Sequence, residues 1–303
     1  MIRVIAALLL MCSAALASEP KRVDIVTRLG PTTAQYVYLT EFVRELNETQ
    51  NVYEYRVSVV PGAQGETAYK RVLSITDEEK RDAILYSSQV TFSDPKHGNR
   101  IDTFNYVTTL SMSVASLMIK DKSVTNVDEL VKRIREKEIT YFAATVSSNT
   151  GAMLNEIFLR RYGLENKVKR INYPNPAEIL RAVLVGESDY TIFNPETMHA
   201  HLNMLVVANS TRPAAYPNVP TGREIGFTDF DYSAFSLLAI PKNNQKLYDN
   251  VLASFMKACN SENIRSLIEK RNNMALCMTN QQIAEALKKE RDLLIKYNIS
   301  SEN

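Results

Sequence analysis

Apolar residues along this chain change period repeatedly, from two to about 3.6 and back. Arg22 to Thr27 alternates as a strand does. Past Gly30-Pro31, Tyr36, Leu39, Val43 and Leu46 recur at helical spacing. Tyr53 to Val60 returns to the strand pattern. The turn Pro61-Gly62-Ala63-Gln64-Gly65 follows, then a helix to about Ser74 and a strand from Asp82 to Ser87. This strand–helix alternation predicts a parallel sheet covered by helices.

A long extended stretch then runs from Asn105 to Ile119. Thr125 and Asp128 have the spacing of a capping box that opens a helix through Arg135. Glu138 to Ala143 reads as a strand leading into Val146-Ser147-Ser148-Asn149-Thr150-Gly151 and a helix over about 150–163. Val168 to Asn172, Pro176 to Val185, Asp189 to Phe193 and Leu205 to Val207 continue the alternation. Ser233 to Ile240 is a strand, and helices cover most of the remainder. Leu287, Leu294 and Ile295 form the apolar face of the last helix. Two successive α/β units and a returning C-terminal portion predict an α/β protein of two lobes with a cleft between them. Ser113 to Ile119 and Phe227 to Ile240 are the expected crossings.

One segment breaks the alternation. Met204 to Val207 opens as a strand, but the chain then passes Arg212, Pro213, Pro217 and Pro220 before reaching Gly226. Each proline fixes its own φ and biases its predecessor toward extended backbone, so the path is stiff. An irregular connection this long is uncommon in a compact domain unless it has a function.

The N-terminus reads as a processing signal. Arg3 is the only charge in residues 1–17, Val4 to Leu16 is almost wholly apolar, and Ala15-Leu16-Ala17 is a small-x-small cleavage site. Its removal takes one cation and lowers the formal charge from +2 to +1. So even a balance argues against a general electrostatic role on nucleic acid or membranes. Two cysteines then remain, Cys259 and Cys277. An even pair in an oxidising compartment points to a disulfide, with two buried thiols as the alternative.

In open α/β sheets ligands sit beyond the carboxyl ends of the strands. That singles out the turns at 28–34, 61–66 and 146–151. The first and last offer hydroxyls and free backbone N–H groups at helix N-termini, which attract anions. Ordinary helix capping by Thr32, Ser148 or Asn149 explains the same residues. Catalytic signatures are absent: there is no HExxH, GxSxG or Walker A pattern, and Ser147 and Ser148 lack a recognisable base. His199-x-His201 has no nearby cysteine to complete a metal site, and no metal or other cofactor is expected.

Several of these runs resemble the periplasmic substrate-binding proteins of tripartite tricarboxylate transporters, the Bug receptors, over roughly 22–297. In the run at 208–227, Arg212, Pro217, Val219, Pro220, Thr221, Glu224 and Gly226 match. In PGAQGETA, Pro61, Gly62, Ala63 and Gly65 match; farther on, Gly186, Asp189, Phe193 and Asn194 do. The resemblance implies the two-lobed periplasmic binding-protein type II fold with Rossmann-like lobes. Its expected organisation is a signal at 1–17, one lobe from 18–116 and 229–303, and the other from 117–228. It implies a non-enzymatic, monomeric receptor that delivers a small carboxylate to integral-membrane transporter subunits. The implied ligand loops are 29–33 and 147–151, so the candidate contacts are Arg28, Leu29, Gly30, Pro31, Thr32, Thr33, Gln64, Gly65, Ser147, Ser148, Asn149, Thr150, Gly151 and Asn194. The chain departs from the family in those same loops: the first has one glycine fewer and no Asp, and Gln64 replaces a glycine. A receptor that docks on a signalling partner, a hydrolytic or transfer enzyme using the same cleft, and a protein that has kept the fold but lost the ligand are the alternatives.

Overall fold

Strands β1 (Lys21–Thr27), β2 (Tyr53–Val59) and β3 (Asp82–Ser88) pair in parallel in the order β2-β1-β3. The structure is a computed structural model. It describes residues 19–299, without 32, 137–140, 146–149, 174–175, 196–197 and 199, and without the side chains of Gln64 and Pro176. The N-terminal segment expected to be a signal therefore lies outside the described residues. Helices α1 (Ala34–Thr49) and α2 (Glu66–Asp77) make the crossovers. α1 buries Leu39, Phe42, Val43 and Leu46, whereas Tyr36 is only partly covered.

The other half of this sheet runs the opposite way. β4 (Phe104–Ser113) and β10 (Ala234–Pro241) pair with each other, β10 pairs with β3, and the two-residue β11 (Met274–Ala275) edges β4, all antiparallel. The expected parallel sheet is thus mixed. The physical reason is connectivity: β4 leaves for the second lobe and β10 returns from it, so neither needs a crossover helix within this sheet. Ile25, Ile84, Phe42 and Phe255 pack on one face, and Val26, Val72, Leu85 and Leu287 on the other.

The extended stretch after residue 104 breaks at Val114. β4 ends at Ser113 in the first sheet, and β5 (Ala115–Ile119) begins the second. That sheet continues with β6 (Tyr141–Thr145), β7 (Val168–Asn172), β8 (Tyr190–Phe193) and β9 (Asn203–Ala208) in the order β7-β6-β8-β5-β9. β6, β7 and β8 are parallel, and β5 is antiparallel to both neighbours. α4 (Val127–Glu136), α5 (Thr150–Tyr162) and α6 (Pro176–Val185) accompany it. The cap of α4 is one residue later than the expected Thr125–Asp128 pair. Asn126 Oδ1 accepts the Glu129 N–H at 2.9 Å, and Glu129 reaches back to the Thr125 N–H at 3.1 Å. An amide oxygen on Asn126 outcompetes the Thr125 hydroxyl for that role.

The rest comprises α3 (Val90–Ser93), α7 (Gln245–Cys259), α8 (Glu262–Glu269) and α9 (Asn280–Lys296). Cys259 and Cys277 are joined in a disulfide. α9 starts at a capping box of Thr279 and Gln282. It packs Ile283 and Leu287 into the first lobe and Leu294 into the second. Ile295, expected on its apolar face, is 58% exposed, because one further residue turns the side chain about 100° around the axis.

The proline-rich segment folds back beside β9. The Val207 N–H donates to Pro220 O at 2.9 Å, and the Gly222 N–H donates to Val207 O at 3.1 Å. Arg212 Nε meets both Glu224 oxygens at 3.0 Å while its Nη1 donates to Pro217 O. Glu224 also accepts the Thr221 N–H at 2.7 Å. Arg212, Pro217, Thr221 and Glu224 therefore form one cross-braced turn.

Candidate functional site

Three strand ends of the first lobe converge on Arg28. Thr27, the last residue of β1, turns the chain by accepting the Leu29 N–H on its hydroxyl at 3.1 Å. Arg28 then lies against Gly65, whose φ is +106°. A Cβ at Gly65 would stand 3.1 Å from Arg28 Cδ, 3.3 Å from Thr91 Oγ1 and 3.4 Å from Ser87 Oγ. The missing side chain and the positive φ together make room for the arginine. Ser87, near the end of β3, and Thr91, in α3, share a buried hydrogen bond of 2.7 Å.

Arg28 Nε is shut off from solvent and has no hydrogen-bond partner among the described residues. Burial lowers the pKa of the guanidinium, and among the described residues no carboxylate pairs with it. A guanidinium partly withdrawn from water without an anion is costly, so such a site can accept an incoming negative charge.

The neighbouring candidates are occupied by the turn itself. Gly30 O accepts from the Thr33 N–H at 3.0 Å and from the Thr33 hydroxyl at 2.9 Å. Thr33 caps α1 by accepting the Tyr36 N–H. Leu29 leans on the first-lobe core, and Pro31 is exposed. Thr32 and the Gln64 side chain lie outside the described residues, as do Ser147, Ser148, Asn149 and His199.

In the second lobe Thr150 and Gly151 are buried in the first turn of α5. Burial raises the pKa of the Tyr232 phenol well above its ordinary value, and the nearby Thr150 side chain offsets part of that rise. Asn194 follows β8 and donates through Nδ2 to Asn273 Oδ1 at 3.1 Å, and Asn273 Nδ2 donates to the Tyr38 hydroxyl at 3.0 Å. This hydrogen-bonded relay joins the lobes across the cleft.

A second connection lies where the chain returns from the second sheet to the first, before β10. Gln89 Nε2 donates to the Tyr232 hydroxyl at 2.6 Å, and its Oε1 accepts the Phe235 N–H at 2.8 Å. Behind Tyr232 sits Glu290, wholly buried, and burial pushes its carboxyl up to about 7. Ser87, Gln89, Thr91, Tyr232, Asn273 and Glu290 were not among the sequence candidates. For the first three a signal existed, since 87–91 is a strand-to-helix turn of the same kind as those singled out. Among the described residues no group of three or more His, Cys, Asp or Glu could hold a metal, and no helix is long and apolar enough to cross a membrane.

Comparison with known proteins fits this geometry. The family profile described as "Tripartite tricarboxylate transporter family receptor" matches residues 88–299. A curated Cupriavidus necator protein, "UPF0065 protein in gbd 5'region", is 28% identical over 138 residues. That match takes in 43% of this chain and 42% of the relative, so less than half of the relative's length is spanned. The periplasmic binding protein BugD superposes with a TM-score of 0.72 at 13% identity, covering 93% of this chain and 99% of its own. MatC from Rhodopseudomonas palustris, solved with malate, gives 0.68 at 14% identity over 93% and 98% of the two chains. An R. palustris protein solved with adipate gives 0.73 at 15% identity over 94% and 99%. These structural likenesses establish the two-lobed binding-protein fold.

Proposed function

Since the chain belongs to the tripartite tricarboxylate transporter receptor family, we propose that its cleft takes up a small organic acid outside the cytoplasm and delivers it to membrane transporter subunits. The observation that carries the ligand class is Arg28, a half-buried cation at the ends of β1, β2 and β3 that pairs with no carboxylate among the described residues. A carboxylate would complete it as a bidentate pair. Thr150 and Gly151, in the first turn of α5, stand at the N-terminal end of a second-lobe helix, which favours the same anion. The lobes are 18–116 with 229–303, and 117–228, and they close about the hinge at Tyr232. Malate in MatC and adipate in its R. palustris counterpart support the ligand class. The mature receptor begins after residue 17 and works as a monomer in the periplasm.

A thermal-shift screen of citrate, malate, adipate, glutamate and benzoate tests this reading. At least one acid is expected to raise the melting temperature, because it binds only the folded state. Arg28→Gln is expected to abolish that rise. No shift with any of the five acids would refute the carboxylate assignment.

A further inference from the structure

A carboxylate stands one residue beyond the glycine that makes room for Arg28, yet the two do not pair. Glu66 opens α2 directly after Gly65. A Cβ on Gly65 would lie 3.1 Å from Arg28 Cδ, and consecutive Cα atoms are about 3.8 Å apart, so the Glu66 Cα lies within about 8.5 Å of that Cδ. A guanidinium beyond Cδ and a carboxylate beyond Cα each reach about 3–4 Å further, which brings an Arg28–Glu66 ion pair within span.

Arg100 holds Glu66 instead. It begins the short helical turn Arg100–Asp102 before β4. Its Nη2 donates to Glu66 Oε1 at 2.9 Å, and its Nη1 stands 2.8 Å from Oε2. Glu66 and Tyr69 share a face of α2, and the Arg100 guanidinium lies 3.8 Å over the Tyr69 ring. Nη1 also reaches Thr91 O at 3.5 Å, and the hydroxyl of the same Thr91 faces Gly65 beside Arg28. The Arg100 side chain is only 13% exposed, so salt and water screen this pair less than an open surface pair. Arg100 holds the Glu66 carboxyl below its ordinary range, so Glu66 is an anion at neutral pH. Lys70 and His97 stand farther from it, at 3.7 and 3.9 Å. Two arginines therefore approach the Gly65–Glu66 step. Arg100 has the carboxylate, and Arg28 has none among the described residues.

We infer that Arg100 keeps the anion site open by sequestering Glu66, which would otherwise pair with Arg28 and exclude the ligand. This rests on the carboxylate reading of the cleft. Arg100 is a positioning residue that acts through Glu66 and need not touch the ligand. Its planar fork suits the task, because it engages both carboxylate oxygens at once. A cation with an internal partner binds an external acid only in the fraction of molecules where that partner has let go.

Isothermal titration of the mature chain with malate, adipate, citrate and glutamate tests this in the wild type, Arg100→Gln, Glu66→Gln and the double variant. For an acid that binds, Arg100→Gln is expected to weaken Kd about three- to tenfold, as Glu66 takes Arg28. Adding Glu66→Gln to that variant is expected to return Kd to within about twofold of wild type. Glu66→Gln alone is expected to leave the affinity unchanged or tighter. A pair that merely braced the turn would behave otherwise: each single variant would weaken binding, and the double variant would not recover it. That pattern overturns the inference, as does an unchanged Kd in Arg100→Gln. A crystal structure of ligand-free Arg100→Gln is expected to place an Arg28 nitrogen within about 4 Å of a Glu66 oxygen, and the two standing apart there also overturns it. If Arg100→Gln does not fold, Arg100→Lys, which keeps the charge but not the fork, replaces it with a smaller expected loss. Failure of all four acids to bind the wild type is a distinct result that refutes the carboxylate reading and the guarding role with it.

Discussion

Replacing Cys259 and Cys277 together by alanine should lower stability without altering the fold. The disulfide closes a loop with a sequence separation of 18. Loop-closure entropy for that length amounts to about 3 kcal/mol, acting mainly on the unfolded chain. The native segment has other anchors. Ile264 and Ile268 of α8 are buried in the first lobe, β11 pairs with β4, and the Met278 N–H donates to Thr109 Oγ1 at 3.1 Å. Asn273, which bridges to Asn194, lies inside the loop and keeps its contacts when the bond is cut. The expected loss in melting temperature is roughly 5–10 °C for a chain of this size. Circular dichroism of the double variant, and of the wild type with and without reductant, measures it. Near-native spectra with a lowered transition support the argument. A transition within about 1 °C of the oxidised protein would show that loop closure contributes little here.

Gly222→Ala should cost about 1–3 kcal/mol, read by urea unfolding, because a Cβ there would lie 2.7 Å from Phe227 O and 2.9 Å from Phe230 Cβ. Glu290→Gln should change stability in a pH-dependent way. The folded carboxyl titrates at about 7, above its ordinary 4.5, so its contribution is full below about 4.5 and is lost as pH rises through about 7. The glutamine variant should therefore gain on the wild type as pH rises, by up to about 3 kcal/mol near pH 8, and equal curves at pH 5 and pH 8 would refute it. Glu224 runs the other way: Arg212 and the Thr221 N–H hold its carboxyl down at about 2, so the turn's contribution persists above the ordinary carboxylate range and is lost as pH falls through about 2. Proton-coupled NMR titration of its side-chain carbon should show no inflection near 4.5, and one there would show the brace to be open in solution.

Local pattern carried far into this molecule. β1, β2, β3 and β7 fall within a residue of their expected spans because short alternating runs between turn residues have few other solutions. Strand direction in the other half of the first sheet was not legible, since it depends on which lobe a strand comes from. β11 has two residues and no pattern to read. The site divides in the same way. Arg28 and Gly65 stand in turns that the strand–helix alternation exposes. Glu290 sits among Lys288, Lys289, Arg291 and Asp292, a run that looks wholly solvated. Its burial arises only because α9 lies across the junction of two lobes, a contact between distant parts of the chain.

The cross-braced turn of 212–224 bears on the cleft through what it positions. Arg223 leaves that turn and pairs with Asp231 through Nε at 2.9 Å, while Lys289 of α9 holds the same carboxylate at 3.2 Å. Phe227 and Phe230 stack with their centroids 5.0 Å apart inside the second-lobe core. Tyr232 comes next after Asp231, so its backbone is fixed from both sides before its ring reaches Gln89. A tyrosine that could slide would break the hydrogen bond to Gln89. The proline-stiffened return from β9 therefore helps fix where Tyr232 stands against Gln89.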